Sequence, residues 1–403
     1  MISRKMSKVI LAAALVMLLM SMAVFAGGQK EEPAVSAPGT EQEATGKETA
    51  PESDASEAKP AWLVENTDDY ITVIDNAGNE VTIPKPVRSL IALDMGSVYS
   101  TLRAIKAEDM VVASNEYVSR NKAFFPVLSA LPSFWTAGQV DSEKIVELKP
   151  DVIFCAPFHY SKLNDVIIDE FPVVQIKLDT MDDIRMLGTI VDKEEETDEY
   201  VKWITGYTDI IDERVSTLKE ENLQDIFVYY GGEYGMAPPP PYGTFGKDNY
   251  RNSLIKRAGG RSLSENIPGD WIAVDPEWIL TRDPPLIIRQ VYIISDQPEM
   301  GYSVTDFSGA KTLMENIIHQ PAFEASTAVR NGNVYMIYGD IFTDCWFVAL
   351  TYLAVWLQPE LFGDLDPVEM HQEFITRFQG LNYNVREQQG IFSYSLKQHL
   401  LNQ

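Results

Sequence analysis

Histidine and cysteine are the side chains in this sequence best suited to bind a transition metal, and both are scarce. The 403 residues include four histidines and two cysteines. His159 follows a short apolar run, and the other histidines fall in separate segments, at His319, His371 and His399. Sites for bare zinc or manganese normally gather several imidazoles. The sequence therefore disfavours a site for a naked transition ion.

The two cysteines, Cys155 and Cys345, raise the question of a disulfide or a catalytic thiol. They are too few for a disulfide framework, and a free cysteine commonly packs as a small apolar side chain, so we expect two buried thiols. The sequence has no Gly-x-Ser-x-Gly elbow, no His-Glu-x-x-His motif and no phosphate-binding glycine loop. We expect no enzymatic activity and no cofactor. The alternative is a secreted α/β hydrolase that uses Cys345 or a buried serine.

Two carboxylates occupy equivalent places in a duplicated segment, residues 140–154 and 274–288. In each copy an aspartate suited to N-capping precedes a short helix, and the first turn of that helix holds a glutamate, Glu143 or Glu277. A proline then ends the helix and precedes a buried strand. The duplication predicts two related lobes with the glutamates at mirrored surface positions. The alternative is that each glutamate only stabilises its helix dipole.

Short apolar runs alternate with stretches of helical spacing, which is typical of parallel α/β sheets. The predicted strands lie at 89–93, 110–113, 151–155, 173–177, 225–230, 286–290 and 333–338, after a hairpin at 71–83. Between the two halves, large side chains at spacings of three and four predict one bridging helix of roughly 40 Å. The predicted organisation is an N-terminal lobe over 61–193, an interlobe helix over 194–222, a C-terminal lobe over 223–385 and a C-terminal tail over 386–403.

The N-terminal segment predicts export. Basic residues precede an apolar run at 9–20, and small residues suited to signal peptidase follow up to Ala26, so residues 1–26 are typical of a signal peptide; a retained anchor is the alternative. Residues 27–60 are predicted to be a disordered acidic linker. No cysteine follows the apolar run, which favours a soluble periplasmic or extracytoplasmic form. The net charge of −26 argues against nucleic acid as a partner.

The order and spacing of several motifs resemble one known family, the cobalamin- and ferric-siderophore-binding periplasmic proteins of ABC importers. The similarity covers about residues 71–384. It rests on the duplicated segment and on three further stretches, at 242–248, 258–260 and 352–362. Lys106 and Glu108 stand where relatives often have glycine, and Pro285 replaces the aspartate of the second copy. These departures concern loops more than the fold.

The resemblance implies two Rossmann-like α/β lobes with central sheets, joined by a single long helix, with the ligand cleft between the lobes. It implies capture of a metal complex outside the cytoplasm and delivery to the permease dimer of an ABC importer. In the relatives, the glutamates that match Glu143 and Glu277 dock onto permease arginines. A ferric siderophore is the leading ligand, and cobalamin, haem or a molybdate-type oxyanion are alternatives, because a shared fold does not determine the ligand.

Ligands of parallel α/β lobes bind outside the carboxyl ends of the strands, so the segments after the predicted strands supply the candidate residues. The predicted ligand-binding residues are His159, Tyr160, Tyr117, Tyr234, Tyr242, Phe245, Arg289 and Trp346. Their aromatic rings suit a large, partly apolar metal complex. Arg289 could pair with an anionic group of the ligand or with a neighbouring acid. His159 could be a metal ligand or a hydrogen-bonded wall residue.

Overall fold

A three-stranded antiparallel sheet precedes the first lobe. The structure, a computed structural model, describes residues 59–230, 242–292, 299–387 and 390–401, so the predicted signal peptide and almost all of the linker lie outside it. Strands β1 (Leu63–Asn66), β2 (Tyr70–Ile74) and β3 (Glu80–Pro84) pair in that order. In the turn, the Asp75 carboxylate accepts the N–H of Asn79 at 2.8 Å and that of Gln175 at 3.2 Å. The predicted hairpin is confirmed, and its turn is tied to the first lobe.

The first lobe is built on a parallel sheet. In chain order its elements are β4 (Leu90–Leu93), α1 (Ser97–Ala104), β5 (Ser114–Asn115), α2 (Glu116–Arg120), β6 (Ser133–Thr136), β7 (Gln139–Val140), α3 (Ser142–Leu148), β8 (Val152–Cys155), α4 (Asp165–Glu170), β9 (Val173–Gln175) and α5 (Met181–Ile190). Strands β4, β8 and β9 are parallel neighbours with every residue buried, which explains their continuous apolar sequence. Strands β5, β6 and β7 form a separate small sheet.

One predicted strand, at 110–113, is not a strand. Glu108–Met110 forms a 3₁₀ turn, Val111 makes only an isolated bridge with Leu90, and the next strand begins at Ser114. The side chains of Val111 and Ala113 are nevertheless buried. This segment has the apolar composition of a strand because its side chains are buried. An apolar run does not reveal which backbone groups pair, so the sequence could not show that this segment lacks strand pairing.

A single helix, α6 (Glu194–Ser216), leads from the first lobe to the second. Its 23 residues correspond to a length of about 35 Å. Three glutamates fill the first turn, where a negative charge is favoured by the helix dipole. The helix continues through Gly206 but ends before 222, because Glu220–Asn222 forms a separate 3₁₀ turn.

The second lobe is built on a mixed sheet. In chain order its elements are β10 (Gln224–Tyr230), β11 (Tyr242–Phe245), α7 (Tyr250–Arg257), β12 (Gly260–Ser262), β13 (Trp271–Val274), α8 (Pro276–Arg282), β14 (Ile287–Val291), α9 (Ser308–Ile318), α10 (Thr327–Arg330), β15 (Val334–Tyr338), α11 (Gly339–Asp344), α12 (Trp346–Leu357), α13 (Pro359–Phe362), α14 (Pro367–Glu373), β16 (Ser393–Ser395) and α15 (Leu396–Leu401). The described sheet has the order β13-β11-β10-β14-β15-β16. Its centre, β10-β14-β15, is parallel as predicted. At the edges, β11 is antiparallel to β10, β13 is antiparallel to β11, and β16 is antiparallel to β15.

The predicted C-terminal tail belongs to the second lobe, which corrects the sequence interpretation. Strand β16 pairs with β15, and Tyr394 and Leu396 are buried beside it. In α15, Nε2 of the buried His399 lies 2.6 Å from a Glu315 carboxylate oxygen on α9. The predicted boundary at 385 left out a short apolar stretch, and in the structure this stretch pairs with β15 at one edge of the sheet.

Both lobes pack against α6, which confirms the two-lobe α/β fold with a bridging helix. The helix contacts α1 and α5 of the first lobe and α7 and α12 of the second. On its buried face, the Trp203 ring lies 5.5 Å from that of Phe347 and 4.7 Å from that of Phe378, between ring centres. Aromatic pairs at such distances contribute about 0.5–1.5 kcal/mol each beyond the area that they bury. Helix α6 therefore packs against both lobes.

The duplicated segment folds alike in the two lobes. Helices α3 and α8 each have seven residues and end at a left-handed residue, Lys149 with φ 49° and Asp283 with φ 39°. The predicted N-cap holds in the first copy, where the Asp141 carboxylate accepts the N–H of Lys144 at 3.0 Å. Asp275 makes no side-chain cap bond. Each helix leads into a buried strand, β8 or β14, as the repeat predicted.

Candidate functional site

A cavity of about 610 Å³ lies between the two lobes. The first lobe contributes residues within four positions after the ends of β4, β8 and β9, namely Met95, Ala156, Pro157, Phe158, Lys177 and Asp179. The second lobe contributes Tyr230 at the end of β10, Tyr292 after β14, Thr343 in α11, and residues 248–251 and 270–271 at the starts of α7 and β13. The cavity therefore lies at the carboxyl ends of both parallel sheets, where α/β proteins bind ligands. Its volume is in the range of small-molecule sites.

A buried arginine forms the cationic part of the cavity wall. Arg251, 4% exposed, lies in the first turn of α7. Its guanidinium carbon is 4.7 Å from the ring centre of Tyr250, 5.0 Å from that of Trp271 and 5.2 Å from that of Phe245. Its Nη2 donates to the Tyr292 hydroxyl at 3.5 Å. These aromatic faces stabilise the cation and fix its plane, so Arg251 can present N–H groups to an anion in the cavity.

Three carboxylates also line the cavity, and two of them are used within the protein. Asp248 accepts the N–H of Gly269 at 3.0 Å, and Asp270 accepts the side-chain amide of Asn249 at 2.6 Å. These bonds hold the loop before α7 against the loop before β13. The third, Asp179, follows β9, and burial is the main cause that raises its pKa to about 6. The cavity thus combines aromatic faces with charges of both signs.

Comparison with known proteins identifies the kind of molecule that holds this cavity. A family model described as periplasmic binding protein matches residues 91–340, more than half of the chain. The chain belongs to the periplasmic binding protein family. Members of this family are extracytoplasmic solute-binding proteins rather than enzymes, and those of this type partner with ABC transporter permeases.

Individual relatives are distant. A Bacillus subtilis protein described as an ABC transporter substrate-binding lipoprotein, YhfQ, is 21% identical over 286 residues, 68% of this chain and 83% of that protein. The TroA-like periplasmic binding protein FepB of Veillonella parvula is 20% identical with a TM-score of 0.67, covering 80% of this chain and 99% of its own. MolA of Haemophilus influenzae, solved with molybdate, is 18% identical with a TM-score of 0.62, covering 77% and 98%. These structures establish the fold alone.

Among the residues that the structure describes, this periplasmic binding protein has neither a membrane-spanning helix nor a metal-binding cluster of side chains. None of the helices in those ranges is long and apolar enough to cross a membrane. Over the same ranges, no group of three or more His, Cys, Asp and Glu residues is arranged to hold a metal ion.

Both cysteines of the binding protein are free and buried, as predicted. Burial is the main cause that raises the pKa of Cys155 to about 12 and that of Cys345 well above its ordinary value. Because the thiolate is the nucleophilic form of cysteine, neither side chain is activated. The environment of Cys345 therefore gives no support to the hydrolase alternative.

Three predicted ligand residues lie directly behind the cavity wall. His159 is buried beside Phe158, with its ring centre 4.5 Å from that of Trp135, and burial lowers its pKa to about 4. Phe245 packs beneath the Arg251 guanidinium. Trp346 donates its indole N–H to the Leu178 carbonyl, at 2.9 Å, next to Asp179. These side chains pack against residues of the cavity wall or next to them. Their direct contact with a ligand stays a prediction.

The other predicted residues are spread over both lobes. Tyr117 donates to Asp344 at 3.3 Å, and Tyr160 is half-buried near the first-lobe core. Tyr242 is buried with its ring centre 5.1 Å from that of Phe323, and the Arg289 guanidinium lies 4.9 Å from the ring centre of Tyr229. Tyr234 lies outside the described residues. Of the predicted set that the structure describes, none is among the cavity-lining residues, so these ligand roles also stay predictions.

The sequence interpretation missed Arg251 and Asp179. Arg251 lies in the first turn of a helix, whereas the candidate segments were those that follow strands. Asp179 lies only four residues beyond β9, but the predicted set includes no residue from the loop after this strand. An N-cap asparagine at 249, which accepts the N–H of Arg251 at 3.0 Å, marks a helix start beside a strand end, and that local pattern could have indicated the arginine.

Beneath the cavity, the two lobes meet at buried carboxylates. Asp94 of the first lobe precedes the cavity residue Met95, and Asp344 of the second lobe follows the cavity residue Thr343. A Cβ atom at Gly96 would overlap the Asp344 carboxylate, so the absence of a side chain at Gly96 permits this close approach. Burial, followed by the charge of Asp340 and then that of Asp94, raises the pKa of Asp344 well above its ordinary value.

Asp340 shares this environment. Its carboxylate accepts hydrogen bonds from Tyr338 and from the Asn121 amide, the latter at 3.5 Å. Burial is the main cause that raises its pKa to about 6, against the lowering effect of the Tyr338 hydroxyl. Deprotonation at this junction therefore places negative charge where water does not screen it.

Replacing Asp344 with asparagine is expected to stabilise the protein in mild alkali. A carboxyl whose pKa is raised by folding stabilises the native state below its unfolded pKa, and this contribution is lost as the pH rises through the folded pKa. The amide mimics the protonated form at every pH. We expect the thermal midpoint of the variant to exceed that of the wild type by a few degrees at about pH 8 and to approach it at about pH 5.

Asp209→Asn, a change of the same kind at an exposed position on α6, is the control and should leave the midpoint within about one degree. A lower midpoint for Asp344→Asn than for the wild type at about pH 8 would contradict the assignment of Asp344 as a destabilising buried charge.

Proposed function

We propose that this binding protein captures an anionic, partly aromatic metal chelate, with a ferric siderophore as the leading ligand, and delivers it to the permease of an ABC importer. The observation that carries the proposal is Arg251, a buried guanidinium held between aromatic rings in the wall of the interlobe cavity. A guanidinium in a water-poor site pairs strongly with carboxylate, catecholate or hydroxamate oxygens.

The rest of the wall supports a chelate of some size. Tyr230, Tyr250, Trp271 and Tyr292 of the second lobe and Phe158 of the first contribute aromatic surface. Phe158 is 67% exposed, so a ligand could cover a ring that now faces water. Such rings provide contact area at low conformational cost. A small ion would leave most of this apolar wall uncovered.

Two further steps complete the proposed pathway. The N-terminal segment would direct export, and Glu143 and Glu277 would contact the permease. Both glutamates are exposed in the first turns of α3 and α8, and neither lines the cavity. This arrangement keeps the proposed permease contacts apart from the ligand.

A tetrahedral oxyanion such as molybdate is the second candidate. It is favoured by Arg251 together with Lys177, which supply positive charge to the same cavity. Cobalamin and haem are further alternatives, and they would use the aromatic wall more than the arginine.

A thermal-shift screen tests the proposed ligand class. The panel contains ferric catecholates, ferric hydroxamates, cyanocobalamin, haemin, molybdate and ferric chloride. A ligand at about 100 times its dissociation constant stabilises the native state by about 2.7 kcal/mol, so we expect a clear shift with at least one anionic ferric chelate. A shift produced by molybdate, cyanocobalamin or haemin alone would refute the ferric chelate and identify the ligand class instead.

A further inference from the structure

Asp179 is the cavity carboxylate that is left for a ligand. Asp248 and Asp270 are hydrogen-bonded to neighbouring loops. Over the described ranges, Asp179 accepts no hydrogen bond and forms no ion pair, although it is half-buried and lines the cavity. A ligand that covers this carboxylate displaces water from it, so the ligand must supply a donor of its own to avoid a buried, unpaired charge.

The backbone on both sides of Asp179 is fixed. Leu178 is in the left-handed region with φ 57°, a conformation that is unfavourable for a leucine. Its carbonyl accepts the buried indole N–H of Trp346, at 2.9 Å, from the second lobe. On the other side, Thr180 and Asp183 form a capping box that starts α5. Backbone strain of this kind persists where surrounding contacts enforce it, and it is common at ligand sites.

The charges on the two walls are complementary to a dipolar ligand. Asp179 belongs to the first lobe and Arg251 to the second, and both line the same cavity. The charged groups that influence Asp179 are Asp183, Lys177, Arg251 and, more weakly, Asp94. Lys177 is exposed, so water screens its charge. An entirely anionic ligand would satisfy Arg251 and be repelled by Asp179.

We propose that Asp179 binds a protonated amine of the ligand while Arg251 binds its anionic part, so that the ligand is a zwitterionic metal chelate with a free amino group. This inference rests on the proposed function and narrows it to one chemical class. The amine forms a charge-assisted hydrogen bond to Asp179 across from the Arg251 contact. A ligand held in this way also bridges the two lobes.

A matched pair of probes tests the role of the amine. The ferric complexes of Nα-(2,3-dihydroxybenzoyl)-lysine and Nα-(2,3-dihydroxybenzoyl)-norleucine share the catechol and carboxylate groups and differ only in the ammonium group. We expect the full-length protein to bind the lysine complex at least about 10-fold more tightly at neutral pH. In Asp179→Asn this preference should fall below about 3-fold while affinity for the norleucine complex is retained or improved.

Control variants distinguish a failure of the amine contact from a failure of the proposed ligand class. Asp182→Asn changes an exposed acid three residues further along the chain and should keep the full preference. Equal binding of the two complexes by the wild type, or a preference that survives in Asp179→Asn, overturns the amine contact and leaves the ferric chelate assignment intact. If neither complex binds, the proposed ligand class and the amine contact both fall. The retained norleucine affinity shows that Asp179→Asn is folded.

Discussion

Arg251→Gln is expected to weaken binding of a ferric catecholate by about 10- to 100-fold, measured by titration of tryptophan fluorescence or by calorimetry. The guanidinium is held by Tyr250, Trp271 and Phe245, so its orientation is fixed before the ligand arrives. A glutamine keeps one amide donor but loses the charge and the forked geometry. Because the site is largely shielded from water, the loss of charge has a large effect on anion affinity.

Arg257→Gln is the matched control. Arg257 lies on the same helix, but it pairs with Asp212 at 2.8 Å, packs over Trp346 and does not line the cavity. We expect ligand affinity to be unchanged. Arg251→Lys is a second test that retains the charge, and it should lose less affinity than Arg251→Gln while keeping the thermal midpoint near that of the wild type. Full affinity in a folded Arg251→Gln protein would remove Arg251 from the site.

Local patterns account for the parts of the fold that the sequence predicted well. The hairpin at 71–83 depends on a polar turn, and the bridging helix depends on periodic side chains such as Tyr200, Trp203 and Ile211. The two short helices after Asp141 and Asp275 were recognisable because consecutive residues determine where each helix starts, how long it is and where the next strand begins. Such features need no knowledge of distant contacts.

The cavity could not be predicted in the same way, because its walls are assembled from distant parts of the chain. Trp271 reaches Arg251 only because β13 pairs with β11 in one register, which places Trp271 opposite Phe245. Asp179 is positioned by the hydrogen bond from the Trp346 indole N–H to the Leu178 carbonyl, and these two residues are 168 positions apart in the sequence. Proximity along the chain was not sufficient, because Tyr160 lies two residues beyond the cavity residue Phe158 without lining the cavity, and alternation along a strand directs a side chain to one face or to the other. Tyr242 is an example, since its ring is buried in the core.

The double variant Glu143→Arg and Glu277→Arg is expected to abolish ligand uptake in cells without changing ligand affinity. Both side chains are exposed in helices that fold alike in the two lobes, which suits a partner made of two similar subunits. If permease arginines receive them, charge reversal replaces two attractions with two like-charge contacts, each costing several kcal/mol. We expect uptake of the ligand to fall at least about 100-fold, and affinity of the purified protein to stay within about 2-fold.

A control must change the charge of the protein by the same amount at other sites, because net charge alone affects association rates. Asp109→Arg with Glu324→Arg reverses two exposed carboxylates, one in each lobe and neither on α3 or α8, and should keep most of the uptake. Equal loss in both double variants would indicate a general electrostatic effect and would contradict specific docking. A parallel loss of ligand affinity in Glu143→Arg with Glu277→Arg would place these glutamates in the ligand site, against their position outside the cavity wall. Uptake lost with affinity retained would separate permease docking from ligand capture, which is the division of roles that we propose for these two glutamates and the interlobe cavity.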